Sequence, residues 1–153
     1  MRPFRMRSLL LPALLAGLPA LSQNPPSKPL YDRLGGVYPI ATVVDDFIDR
    51  LLVNNTLNAN KAIKDARDRV PRAGLKYQVT SLVCQLAGGP QKYAGRTMKE
   101  SHSQLHITEK EWDAMVVEFK KSLDAFKVPE KEQGELFAAV GAAKGDIVEA
   151  AKK

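Results

Sequence analysis

The sequence predicts an all-α domain, and three observations carry that expectation. Apolar residues recur three and four places apart through several stretches, which is the period of one face of a helix. Glycine, proline and asparagine signals separate those stretches. No stretch alternates apolar and polar residues as a half-buried strand does.

The first 22 residues stand apart from that pattern. "MRPFRMR" supplies Arg2, Arg5 and Arg7, an apolar run follows through Leu21, and small residues precede Gln23. This is the tripartite layout of a secretory signal over residues 1–22. The apolar run is broken by Pro12, Gly17 and Pro19, whereas a membrane span needs roughly 20 apolar residues. The expectation is therefore cleavage, export to a periplasmic or extracellular location, and no stable membrane insertion afterwards. An uncleaved N-terminal anchor is the alternative. Residues 23–29, with "NPPSKP", read as an extended linker, because proline cannot enter a helix interior and restricts the residue before it. Residues 30–153 then form one domain, long enough for one core.

Within that domain, "LGG" at 34–36 marks a turn, and Ile40, Val43, Val44, Phe47, Ile48, Leu51 and Leu52 trace a helix that "NN" at 54–55 ends. The charged stretch from Thr56 to Gly74 reads as one short helix stopped by Pro71 and Gly74. Leu75, Val79, Leu82, Val83 and Leu86 make a second stripe, closed by "GGP" at 88–90. Met98, His102 and Leu105 lie on one face of a short helix. Thr108 with Glu111 three places on reads as a capping box, each side chain serving the other's orphan N–H. Trp112, Met115, Val116, Phe119, Leu123 and Phe126 line the inner side of the helix it opens. Pro129 suits a first helical turn, where its missing N–H costs nothing. Leu136, Phe137, Val140, Ile147 and Val148 carry a last helix to the C-terminus.

Composition narrows the function classes. The formal charge of +6 falls to about +3 once the three signal arginines are set aside, so the basicity does not argue for nucleic acid. The single cysteine, Cys84, excludes an internal disulfide; an exported domain must then rest on packing or on a bound cofactor. No phosphate loop, CxxC or HExxH pattern occurs, and two histidines cannot make a three-histidine zinc site in one chain.

Both histidines, His102 and His106, fall within "MKESHSQLHITEKEW" at 98–112. His102 is flanked by Met98 and Leu105 on an apolar face, where an unpaired polar group costs on the order of 1–3 kcal/mol. It is therefore either a metal ligand, a core histidine bonded to a backbone carbonyl, or simply exposed. A two-histidine metal pair with His106 is a further alternative.

"LYDRLGG", "VVDDFIDRLL", "AGGPQKYAGRTMKESH" and "ITEKEWD" together resemble a truncated haemoglobin of the first group, over about Leu30 to Val148. The third motif is the specific one, with its double glycine, Tyr93, Met98 and His102 in order. The resemblance implies a two-over-two helical sandwich around haem b. It implies that His102 is the proximal iron ligand, a role suited to a neutral imidazole whose second nitrogen can bond a carbonyl. It also implies that Met98, Tyr93, Leu105 and Ile107 pack on the ring near that ligand. Trp112, Val116 and Val140 match pocket-facing positions of the neighbouring helices, and His106 matches a position with no required chemistry. Lys99 could pair with a haem propionate.

On the distal side the sequence departs from the family. Phe47 keeps its place, but the tyrosine usual after it is Ile48, and Asn60 and Lys61 stand where two phenylalanines are common. The usual distal glutamine or ligating histidine aligns with Val79 and the earlier contact position with Leu75. Neither can donate a hydrogen bond, so the expected distal pocket is mostly apolar, holding O2 loosely and CO or NO more readily. Tyr77 or Gln78 could turn inward if the helix is shifted, Ile63 could replace the missing aromatic packing, and Lys61 or Lys76 could serve as sixth ligand. Cys84 reads as a packing thiol.

The expected function is reversible binding of O2, NO or CO outside the cytoplasm. NO oxidation would need a reductase or electron donor, and redox sensing or electron transfer is equally open. The alternative is a haem-free helical interaction module on a globin-like scaffold, and a third reading is a zinc or copper carrier.

Overall fold

The computed structural model describes residues 28–149. The expected signal lies outside the described residues, as does the linker apart from Lys28 and Pro29. The helices are α1 (Leu30–Arg33), α2 (Val37–Val53), α3 (Asn55–Ala59), α4 (Lys61–Asp68), α5 (Arg72–Leu86), α6 (Met98–His102), α7 (Glu109–Ala125), α8 (Glu130–Gly141) and α9 (Lys144–Ile147). No strand occurs among the described residues, and none of their helices is long and apolar enough to cross a membrane.

The apolar period of α2 buries Ile40, Val44, Phe47 and Ile48 on one side. Asn54 ends α2 in extended geometry and begins α3 with its side chain, which accepts the Leu57 N–H at 3.1 Å. Asn60 repeats the device for α4, accepting from Ala62 and Ile63 at 3.0 and 3.2 Å. The Asn60 cap splits the stretch expected as one short helix. Pro71 also acts at the other end from the one expected. It is the N-cap of α5, which runs on through Gly74, because a missing N–H is free of cost where the helix has no acceptor for it.

The α2/α5 and α7/α8 helices form the two-over-two sandwich, with α2 packed against both α5 and α7. Phe119 of α7 joins the layers, its ring centroid 5.1 Å from Phe47 of α2 and 5.3 Å from Phe137 of α8. Leu123 and Cys84 are fully buried in the same cluster, and burial pushes the Cys84 thiol up, as suits a packing residue. Two expected core residues are not core: Leu86 is 52% and Phe126 44% exposed, each where a helix ends and its face turns out. The last helix is also interrupted after Gly141, so that α9 comes back against α6.

The C-terminus of α5 is closed by a Schellman motif. Gly88, at φ +83, donates to the Gln85 carbonyl at 3.1 Å, and Gly89 to the Cys84 carbonyl at 2.8 Å. Gly89 also lies against the Tyr31 ring. A Cβ there would sit 2.4 Å from Tyr31 Cδ2 and 2.9 Å from the Cys84 oxygen, and a helix carbonyl cannot give way. Gly89→Ala is expected to lower stability by about 1–3 kcal/mol in urea unfolding; an unchanged midpoint would contradict this packing.

Between the layers, Asp46 accepts from Arg50 Nε at 2.6 Å and from the buried Ser122 hydroxyl at 2.7 Å. The Arg50 guanidinium holds the Asp46 carboxyl below the ordinary carboxylate range, with Ser122 adding to the effect. Arg72 and then Lys76 do the same for Asp49, and Arg33 for Glu135. Each carboxyl binds its proton less tightly folded than unfolded. The stability it adds is therefore complete above the unfolded value of about 4 and is lost as pH falls through the lower folded value. Urea midpoints should be level across neutral pH and drop below about pH 4. Asp46→Asn should flatten that drop, and a midpoint that rises on acidification would contradict the assignment.

Candidate functional site

The short helix α6 is built from both ends. At its start Thr97 N–H donates to Glu100 Oε2 at 2.9 Å and Glu100 N–H to Thr97 Oγ1 at 3.2 Å, a capping box that five residues alone would need. At its end the half-buried His102 ring donates from Nδ1 to the Met98 carbonyl at 2.7 Å. That bond fixes the neutral tautomer with the lone pair on Nε2, for which no partner exists among the described residues.

The loop after α6 is strained and tied down. Gln104 and His106 take left-handed backbone angles, φ +65 and +51, which cost non-glycine residues on the order of 1 kcal/mol each. Asn60 Nδ2 reaches across to donate to the Leu105 carbonyl at 2.9 Å, and Glu149 N–H donates to the Ile107 carbonyl at 2.9 Å. The exposed His106 ring faces Glu149, Nδ1 to Oε2 2.9 Å. His106 is thus turned to the C-terminal segment, away from a shared role with His102. The Thr108–Glu111 capping box then opens α7, with Thr108 N–H donating to Glu111 Oε2 at 2.7 Å.

The remaining candidates fall into two sets. Phe47 and Ile48 are buried in the main core cluster, and Leu75, Val79 and Val140 are half-buried against it. Ile107 and Trp112 are buried outside that cluster, with Met98, Leu105 and Val116 half-buried. Lys144 caps the Trp112 ring, its Nζ 5.8 Å from the centroid, and pairs with Glu109 at 2.6 Å. Tyr93 is half-buried with its polar groups already engaged. Its hydroxyl donates to the Arg96 carbonyl at 2.7 Å and its N–H to Gln85 Oε1 at 2.9 Å.

Lysine as a sixth ligand is not supported. Lys61 extends into solvent and pairs with Asp65 at 2.5 Å, while Lys76 pairs with Asp45 and Asp49 of α2 at 2.5 and 2.6 Å. Tyr77 is 68% exposed, but Gln78 is half-buried and its Oε1 is enclosed with no hydrogen-bond partner. Asn60 was legible only as a lost aromatic, although an asparagine before a helix is a capping signal. The clefts between α2 and the α7–α8 turn, about 400 Å³, and between α2 and α5, about 450 Å³, are not lined by His102.

The model of the bacterial-like globin family matches residues 29–149. Among characterised relatives, Group 1 truncated hemoglobin GlbN of Synechocystis sp. is 29% identical over 117 residues, covering 74% of this chain and 90% of that protein. GlbN of Nostoc commune is 28% identical over 86 residues, or 56% of this chain and 68% of that one. Among solved structures, the truncated hemoglobin of Tetrahymena pyriformis in its Fe(III) form superposes with a TM-score of 0.66. It is 20% identical and covers 80% of this chain and 100% of that one. The 2/2 hemoglobin of Synechococcus sp. PCC 7002, in the cyanomet state with covalently attached heme, gives 0.70 at 21% identity over 79% and 98% of the two chains.

Proposed function

Because the chain belongs to the bacterial-like globin family, as a group 1 truncated haemoglobin, we propose that it holds haem b and reversibly binds O2, NO or CO. The observation that carries this reading is the His102 ring, with Nδ1–H bonded to the Met98 carbonyl and the Nε2 lone pair left free. That is the donor a haem iron takes as its axial ligand, and the carbonyl bond both orients the ring and fixes its tautomer. When bound, the haem would supply an iron able to take up a diatomic gas.

The chain's own residues would seat and shield the group. Met98, Leu105, Ile107, Trp112 and Val116 would pack on the proximal side, with Tyr93 at its margin and Val140 closing the interior. Phe47, Ile48, Leu75 and Val79 would form an apolar distal wall that excludes water. These side chains are buried or half-buried, and all but Tyr93 are apolar, which supports an apolar surround for the group.

The test is gas titration of the reduced, haem-reconstituted chain. Saturable and reversible spectral changes with CO, NO and O2 are expected; a spectrum insensitive to all three would overturn the reading. We further propose export through removal of residues 1–22. N-terminal sequencing of the protein secreted by an expressing bacterium should begin at Gln23, and a mature chain still starting at Met1 would refute it.

A further inference from the structure

We propose that Asn60 is a positioning residue for the iron ligand, acting on His102 through the Leu105 peptide; the role rests on the haem reading above. Leu105 is gripped at both ends of its backbone. Its N–H donates to the carbonyl of His102 itself at 3.2 Å, and its carbonyl accepts from Asn60 Nδ2 at 2.9 Å. Two hydrogen bonds in series therefore join the ligand residue to the junction of α3 and α4. The Asn60 amide suits the task because it cannot turn. Its Oδ1 caps α4, accepting from Ala62 and Ile63 at 3.0 and 3.2 Å. With the oxygen committed, the N–H₂ group faces the loop, where it serves the Leu105 carbonyl and also the Glu111 carboxyl. Glu111 is itself fixed by the Thr108 N–H and hydroxyl, each at 2.7 Å. The half-buried amide is thus oriented from α4 and α7 at once.

The loop needs such a hold. Leu105 stands between Gln104 and His106, left-handed at φ +65 and +51, and a non-glycine backbone keeps that shape only where its surroundings over-determine it. The His102 ring is turned by the Met98 carbonyl at 2.7 Å, but that bond lies within α6 and does nothing to fix α6 against other helices. From the C-terminal side, α9 packs on α6 and the Glu149 N–H holds the Ile107 carbonyl. Asn60 supplies the hold from the N-terminal half of the domain. A ligand residue anchored from both sides keeps its nitrogen at one place and angle, which sets the strength of the bond it can make to iron. Without Asn60 the Leu105 peptide loses one of its two bonds, and the end of α6 is free to drift.

The experiment compares the full chain with Asn60→Ser. Serine keeps the cap of α4 but is too short to reach Leu105, so the cap and the loop contact are separated. In the reduced, haem-reconstituted chain, resonance Raman should show an iron–histidine band lower in frequency and broader than that of the wild type. In the haem-free chain, the Leu105 amide should exchange with deuterium on the order of fivefold faster, as loss of one hydrogen bond implies. Ser122→Ala removes one hydrogen bond between the layers and controls for a general loss of stability; it should change neither readout. An unchanged iron–histidine band in Asn60→Ser, or an equal shift in Ser122→Ala, would overturn the proposal. So would a band that shifts while Leu105 exchange does not, because the effect would then bypass the Leu105 peptide. Wild-type chain that takes up no haem would overturn it through the reading on which it rests, a failure that the exchange of Leu105 keeps distinct.

Discussion

Replacing His102 by alanine is expected to abolish stoichiometric haem retention, while His106→Ala retains one equivalent. The two histidines are four residues apart, but the chain uses them differently. The His102 ring is half-buried at the end of α6, its Nδ1 committed to the Met98 carbonyl and its Nε2 open. The His106 ring is 70% exposed on a left-handed residue, and its Nδ1 faces Glu149. An exposed pair of that kind contributes at most about 1 kcal/mol, so losing it should loosen the loop without removing the ligand. His102 makes one hydrogen bond within its own short helix, so its removal should cost the haem-free fold about 1 kcal/mol. Loss of the Soret band without unfolding thus identifies a lost iron ligand. Equal haem retention in both variants would show that neither imidazole is the anchor.

The second large effect concerns the scaffold. Phe119→Ala is expected to lower stability by about 3–5 kcal/mol, enough to unfold much of a marginally stable domain. Phe119 is 4% exposed, and it is the ring through which α7 meets Phe47 of α2 and Phe137 of α8. Truncation leaves a void between the two layers and removes both ring contacts, which are worth about 0.5–1.5 kcal/mol each beyond burial. Phe126→Ala, at the exposed end of the same helix, should cost under about 1 kcal/mol. Urea unfolding of the two variants would check the contrast, and comparable losses would mean the core is not centred where Phe119 stands.

How far the sequence speaks depends on how many independent signals meet at each element. The helix α2 was legible because its apolar period, its turn glycines and the asparagines after it agree. The Thr108 capping box was legible because it is local in sequence. Pro71 was read as a stop because proline interrupts a helix from inside and begins one from outside, and the residue alone does not say which. The break between α8 and α9 escaped because Ala142 and Ala143 are good helix formers, and the return of α9 onto α6 is a tertiary effect. At the site, His102 was singled out by its apolar neighbours and by the motif around it. Gln78 was not settled, because α5 carries polar residues on several sides, with Gln78, Thr80, Ser81 and Gln85 interrupting its stripe. Only the packed helix shows that Ser81 is buried and Gln78 half-buried while Gln85 is exposed.

Anchoring of haem through His102 is tested by a haem titration of the full chain followed by visible absorption. A sharp Soret band is expected that grows linearly to a break at one equivalent and shifts on reduction and again on addition of CO. A featureless, non-saturating rise like that of haem on an unrelated helical surface would contradict it, and would leave a helical interaction module built on a globin scaffold.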